Sequence, residues 1–459
     1  MPSPRFAVRS LLAPPADGAG RRIAIAGIAG MLLTAPLSMQ QAVAPYPVLS
    51  WLLTGCGAVI AVASLRVSWS PRAAVTRGAL GLLVVFCAVS GVLGISQTIS
   101  SLRQSDQQLI CRDDVAPDTV VGGQEVLSGA DPYTSFNLLT AERTLGCPSY
   151  SVTPLRSGIF ASFTSPPTAA QIDRAAEATL QGSATGGLLV GFNYPAGTAL
   201  LGVLGAHALV LMSPLALLLA GFVVVLRAPP PMRRPMILAL GAQAGLLAII
   251  GAAQADAVVA ALLVIAISSR RGWAMGVALG VACAIKQTAW FLAPALLILA
   301  LREGRTRDLG YPAGALLGFA ALNVPFIAAG PAAWITGILR PQLQPVFPFG
   351  FGPGAFAQAG SSAAVAFTVL MILAVVAGCV WCAVAPRRWA PAGIIVSSLG
   401  LWVGPRSIGN YVALLGVIAV CVVAGSTVAR SAPVRASRRA RLRWFRVVAP
   451  AGIEPAHKV

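Results

Sequence analysis

The chain has 459 residues, 57% of them apolar and only 10% charged, with a mean hydropathy of +0.79. Soluble domains carry about 25% charged residues, so these values exclude a soluble globular protein. Basic residues outnumber acidic ones 33 to 14, for a formal charge of +19. That excess also suits a nucleic-acid binder. The arginines, however, cluster at the ends of apolar runs, the positive-inside pattern of a membrane protein, which argues against a nucleic-acid partner.

Residues 1–21 form a polar, basic tail. The apolar run that follows reads as a retained first span, because no small-residue cleavage site comes after it. A span needs about 20 apolar residues. Candidate stretches are 22–40, 46–65, 78–97, 197–226, 235–252, 255–269, 272–286, 288–302, 310–329, 362–384, 389–404 and 408–428. Those between 255 and 302 are short and read as broken or tilted half-helices. The expected fold is an all-α polytopic membrane protein with about 12 transmembrane segments, the count of those stretches.

The expected organisation is a cytoplasmic tail (1–21), three spans (22–97), an extracytoplasmic acidic loop (98–195), a transmembrane core (196–429) with a second outer loop (330–361), and a basic cytoplasmic tail (430–459). With the N-terminus inside and the spans alternating, 25 of the 33 basic residues fall on the inner side. That bias places the loop outside and both termini in the cytoplasm, and the expected location is the plasma membrane.

The 98–195 loop holds nine of the 14 acidic residues and is the first place to look for chemistry. Asp113 and Asp114 follow the third predicted span. A carboxylate there can act as general base on an acceptor hydroxyl, can hold a divalent cation against a phosphate, or can simply be solvated. Cys111 and Cys147 both lie in this loop, and an oxidising compartment would let them form a disulfide. The run TAAQIDRAAEATLQG reads as an amphipathic helix and GADPY as a turn.

Lys286 is one of two lysines, and it sits between apolar segments. Ionisable residues there are costly and usually have a partner or a task. Asp256 lies at the same predicted level and can pair with it, as a structural pair or as part of a site for an anionic lipid phosphate. Arg340 and Arg406 are outward arginines able to meet a phosphate or to cap a helix. His207, alone in a predicted span, reads as a core residue. With His457 the only other histidine, a histidine-built metal site has no support. No phosphate-binding glycine loop is present, so a nucleotide-driven mechanism has no support either.

Two stretches carry a family resemblance. DDVAPDTVVGGQEVLSGADPY resembles the first outer loop of the GT-C membrane glycosyltransferases, closest to glycosyltransferase family 87. There an acidic residue after an early span precedes a short helix and a Gly-x-Asp/Asn-Pro-Tyr turn. The run from GAAQADAVV to ALREGR resembles that family's central signature, with Gln254, Asp256, Arg270, Arg271, Lys286, Gln287 and Thr288 at the matching positions. GFNYPAG, with Asn193 and Tyr194, matches a Tyr-Pro pair of the family. This chain has AAQAD where the family has Gly-Gln-x-Asn, and its acidic loop follows the third span where the family's follows the first.

The resemblance implies a GT-C-type bundle and transfer of a sugar from a polyprenyl-phosphate donor to a lipid or glycan acceptor of the cell envelope. Mannose is the sugar implied, with a pentose such as arabinose open. It further implies Asp113 or Asp114 as base, Lys286 with Arg406 or Arg340 at the donor phosphate, and Asp256, Gln254, Tyr133, Asn193, Tyr194, Gln287 and Thr288 along the substrate groove. No cofactor is certain, although a divalent cation is compatible with the acidic pair. The rival expectation is a transporter or lipid flippase that uses Asp256 and Lys286 as a coupling pair, and a third is a non-catalytic scaffold.

Overall fold

The computed structural model describes residues 13–15, 17–39, 47–66, 68–111, 114–148, 152–183, 186–250, 255–268, 272–303 and 309–431, with the backbone alone at 38–39, 245–250, 340–343 and 429–431. The first helices are α1 (Gly18–Leu33), α2 (Ala35–Met39), α3 (Pro47–Ala63) and α4 (Ala73–Leu102). The acidic segment holds α5 (Asp106–Ile110), α6 (Val115–Leu127), α7 (Pro132–Ser135), α8 (Leu138–Leu145) and α9 (Ala169–Leu180). Then come α10 (Ala196–Gly202), α11 (Ala206–Arg227), α12 (Pro230–Ile250), α13 (Asp256–Ser268), α14 (Trp273–Ile285), α15 (Ala293–Glu303), α16 (Gly310–Ala329) and α17 (Pro331–Leu343). The chain continues through strand β1 (Phe349–Gly350), helices α18 (Ser362–Val384), α19 (Ala392–Ser398) and α20 (Gly400–Val403), strand β2 (Arg406–Ser407) and α21 (Gly409–Ser431).

Of the described residues 76% are helical. Among the described residues five helices are long and apolar enough to cross a membrane: α4, α11, α16, α18 and the Gly409–Val428 part of α21. The chain is therefore a multi-pass helical membrane protein. The remaining expected spans take other forms. The stretch 197–226 is broken between Gly202 and Gly205, giving α10 and α11, and Gly205 sits at a left-handed φ of 79°. Helix α14 has 13 residues, so it rises about 20 Å against a hydrocarbon core of about 30 Å, and 13 residues of α13 are described. The stretch 389–404 splits into α19 and α20.

Helix α21 is the central post. Its residues from Val412 to Ala424 are almost all buried, packed by α1, α12 and α13. Helix α18 is the opposite case: of its 23 residues only Gly378 and Cys382 are buried. Exposed valine, leucine and isoleucine on such a helix suit lipid, whose tails are as apolar as the side chains.

Close packing comes from small residues. Gly276 and Gly280 of α14 face Gly314 and Gly318 of α16, each four residues apart. A Cβ at Gly280 would lie 2.0 Å from the Ala315 carbonyl oxygen, and one at Gly314 would lie 2.0 Å from that of Trp273. The two backbones touch only because no side chain intervenes.

The acidic segment has its own core, built from Phe136, Leu138, Leu139, Phe160, Ile172 and Phe192 with their neighbours. Its helices are capped locally. The Asp131 side chain accepts from the Tyr133 amide at α7, with Pro132 in the first turn, and Asn137 caps α8. Thr168 and Gln171 form a capping box at α9. Cys111 and Cys147 are joined by a disulfide, with Cα atoms 4.9 Å apart, which ties the start of this segment to the end of α8.

Extended pieces then stitch distant regions together. Pro154 bridges Leu188, Leu155 bridges Val346, and β1 pairs in parallel with β2. These few bonds bring residues near 153, 188, 346 and 406 to one place. Several arginines gather elsewhere. The Arg21 guanidinium donates to the Pro71 carbonyl at 3.3 Å, Arg234 donates to the Ala13 carbonyl, and Arg227 contacts the Met275 sulfur at 3.4 Å. The connections around residues 15, 71, 228 and 273 are thus mutual neighbours.

Candidate functional site

Where the stitched segments meet the helices there is a cavity of about 390 Å³. Its polar wall includes Asp114, Thr153, Asn193, Tyr194, Gln287, Thr288 and Arg406. A second wall is largely apolar and comes from Ala364, Val365, Thr368 and Met371 of α18, the helix whose residues are mostly exposed. One cavity therefore joins a charged end to an apolar flank.

Asp114 occupies the position before α6. An aspartate there ordinarily caps the helix, but this one makes no capping hydrogen bond. Its Oδ2 instead accepts from the Thr153 hydroxyl. The Thr153 Oγ1 in turn accepts from the Arg406 guanidinium at 3.2 Å. A hydroxyl has one proton and two acceptor sites, so Thr153 can serve both at once. Asp114 and Arg406 are thereby held apart in one relay, with carboxylate and guanidinium at the cavity wall.

The floor is set by α14. It ends at Lys286, which leaves helical geometry (φ −147°, ψ 138°) and starts the short 3₁₀ turn Gln287–Phe291. The Lys286 ammonium is 2.5 Å from Asp256 Oδ2, with side chains 3% and 1% exposed. It also lies 5.4 Å from the centroid of the Tyr194 ring, within the range of a cation–π contact. Lys286 is thus one layer behind the wall, and Arg406 is the cation among the described lining residues. Gln287 donates to the Asn193 carbonyl at 2.6 Å, and Asn193 donates from Nδ2 to Asp118 at 3.0 Å. The Thr288 hydroxyl is buried without a hydrogen-bond partner, a vacant donor and acceptor on a lining residue.

Tyr133 is placed elsewhere. Its hydroxyl donates to the Tyr194 carbonyl at 2.7 Å, and its ring packs edge-on against Phe192 at 5.2 Å between centroids. Burial, and then the Asp131 carboxylate, push the Tyr133 phenol up beyond its ordinary value. Burial, with the Asp114 carboxylate next, does the same for Tyr194. Both phenols are therefore neutral donors at physiological pH.

Other sequence candidates stand as follows. Asp113, Gln254, Arg270 and Arg271 lie outside the described residues, and Arg340 is in α17 with only its backbone described. His207 is not a core residue. It is the second residue of α11, its side chain is 41% exposed, and its Nδ1 is 2.7 Å from Asp106. The break at Gly202–Gly205 puts it at a helix start where the sequence reads as mid-span. Among the described residues no three histidine, cysteine or acidic side chains converge as a metal site. Sequence reasoning missed Thr153, Gln344 and the α18 wall, none of which has a motif or a periodic signal. No protein-family model, curated protein or solved structure matches the chain.

Proposed function

We propose that the protein is a membrane glycosyltransferase that moves a sugar, mannose on the resemblance, from a polyprenyl phosphate to a lipid or glycan acceptor of the cell envelope. The observation that carries this reading is the cavity in which Asp114 and Arg406 share Thr153 beside the apolar flank of α18. A lipid-linked sugar phosphate has three parts to satisfy: an anion, a reacting anomeric carbon and an isoprenoid tail. The cavity offers a guanidinium, a carboxylate and an apolar wall open to lipid.

In this reading the acceptor hydroxyl gives its proton to Asp114. Its oxygen attacks the anomeric carbon, and the bond from that carbon to the phosphate oxygen breaks. The electron pair leaves with the polyprenyl phosphate, whose growing negative charge Arg406 stabilises. Lys286, committed to Asp256 and set beneath Tyr194, positions the Gln287–Thr288 turn. The reading places the acidic segment outside the plasma membrane and the arginine-rich connections and both termini in the cytoplasm, in a GT-C-type bundle of about 12 segments, the number of apolar stretches in the sequence.

The test is transfer of labelled sugar from polyprenyl-phosphate mannose to native lipids in isolated membranes, at matched expression. Wild type transfers, Asp114→Asn does not, and persistence of transfer in Asp114→Asn removes the proposed base. The buried Asp256–Lys286 pair supports a second reading as a transporter. That reading requires substrate flux that is lost in Asp256→Asn and kept in Asp114→Asn.

A further inference from the structure

A cavity of about 410 Å³ lies away from the candidate site and shares no described lining residue with it. It is cut between α11 and α12, with Val264 of α13 and Val417 of α21 also on its walls. Helix α11 begins beside the acidic segment, where His207 meets Asp106. The cavity takes the other half of that helix, from Leu217 to Leu226. With 22 residues α11 rises about 33 Å, so the cavity and the candidate site belong to opposite ends of the bundle.

The groove is apolar and open sideways. Gly221 leaves it room, since a Cβ there meets no heavy atom within 4 Å. Leu218, Phe222, Leu226 and Ile237 line it and are exposed, so it opens on the surface that suits lipid tails. Every described lining side chain is apolar or glycine except Arg233. That guanidinium is held in place: Nε donates to the Ala228 carbonyl at 2.9 Å and Nη2 to the Leu226 carbonyl at 3.2 Å. Nη1 makes none of the described hydrogen bonds and is left for a ligand. Arg227 lies between those two carbonyls in the chain and Arg234 follows Arg233, so three arginines belong to this end. Along α12 the lining runs from Arg233 to Ala244, a rise of about 16 Å. That is half of a hydrocarbon core of about 30 Å, the depth of one leaflet.

We propose that this groove binds an anionic phospholipid, with its phosphate on Arg233 and one acyl chain laid along α11 and α12 past Gly221. Charge and length select this occupant. A neutral lipid leaves the guanidinium without a counter-charge, and a helix from a second copy would not end at half the membrane. Basic pockets between membrane helices suit anionic headgroups, and hydrogen bonds from a guanidinium to a phosphate are charge-assisted and strong. The proposal uses nothing of the glycosyltransferase reading and stands if that reading fails.

The experiment is native mass spectrometry of the full chain in detergent with equimolar phosphatidylglycerol and phosphatidylcholine, each variant first checked by thermal unfolding. Wild type should retain phosphatidylglycerol over phosphatidylcholine by about fivefold or more, the factor for one arginine near an anionic lipid. Arg233→Gln and Gly221→Leu should bring that ratio to about one, because the first removes the cation and the second fills the groove with Arg233 intact. Arg233→Lys should keep most of the preference. So should Arg77→Gln, which removes an exposed cation at the start of α4 that does not line the groove. If Arg233→Gln does not fold, Gly221→Leu decides alone. Equal retention of the two lipids by wild type overturns the proposal, as does an undiminished preference in Gly221→Leu. An equal loss in Arg77→Gln overturns it in favour of diffuse attraction. Dimers that vanish in Gly221→Leu, or displacement of phosphatidylglycerol by a lower concentration of polyprenyl phosphate, overturn it in favour of another occupant.

Discussion

The relay from Arg406 through Thr153 to Asp114 makes a sharp prediction about a residue with no motif to recommend it. Thr153 is 8% exposed and carries the only atom that bridges the two charged groups among the described hydrogen bonds. Thr153→Val keeps the shape and removes the hydroxyl. It deletes a hydrogen bond to a carboxylate and one from a guanidinium, and leaves both charges facing an apolar methyl. A hydrogen bond to a charged group is worth about 1.5–3 kcal/mol. If that stabilisation is needed to hold Asp114 on the acceptor hydroxyl, kcat falls roughly 10- to 150-fold. Thr153→Ser keeps the hydroxyl and should stay within about threefold of wild type. The assay is initial-rate sugar transfer in nanodiscs, with folding checked by thermal unfolding of each variant. Wild-type kcat in Thr153→Val, at unchanged thermal stability, would refute the relay.

Four further outcomes follow from the same geometry. Removing one partner of the buried Asp256–Lys286 pair, as in Lys286→Met, should cost about 3–5 kcal/mol and lower the yield of folded protein by size exclusion, while Lys286→Met with Asp256→Leu should recover part of it. Opening the Cys111–Cys147 bridge, which spans 36 residues, by Cys147→Ser should cost about 2–4 kcal/mol, read as a lower Tm that reductant no longer changes. Gly280→Leu would drive a side chain into the Ala315 carbonyl of α16 and should abolish detergent-stable monomer, whereas Gly221→Leu should not. Tyr133 and Tyr194 have phenols raised above 10.0 in the folded chain. Such groups contribute stability that is complete below the unfolded value and is lost as pH rises past it, so Tm should fall above about pH 10. Tyr133→Phe should flatten that fall in a pH series of melts.

The sequence was most legible where charge meets apolar surroundings. An ionisable residue in an apolar run must find a partner, which is why the pairing of Asp256 with Lys286 can be read from the amino acids alone. Asp114 and Arg406 stand out for the same reason, as rare charges beside predicted spans. Helix caps in the acidic segment, such as Asp131 before Pro132 or Thr168 before Gln171, are local and can be read directly. Three features could not be read. Thr153 and Arg406 are 253 residues apart and meet through two single bridges and a two-residue sheet, which leave no period in the sequence. The run 197–226 is uniformly apolar, so the break that frees His207 rests on the backbone of one glycine. The short helices α13 and α14 look like membrane spans by hydropathy, and only the structure shows that α13 starts at Asp256 and α14 stops before Lys286, which pairs the two one layer behind the cavity wall.

The most direct test of the central claim is a donor comparison with purified protein in nanodiscs and a mixed native lipid extract as acceptor. Labelled mannose is supplied as polyprenyl phosphate or as a nucleotide sugar, and labelled arabinose as polyprenyl phosphate, to wild type, Asp114→Asn and Arg406→Ala. The account predicts labelled glycolipid from a polyprenyl-phosphate donor alone, none from Asp114→Asn, and a rate lowered at least a hundredfold by Arg406→Ala, in line with about 2.7 kcal/mol or more for a lost charge-stabilising donor. Labelled product from the nucleotide sugar, or undiminished product from Asp114→Asn, would contradict it.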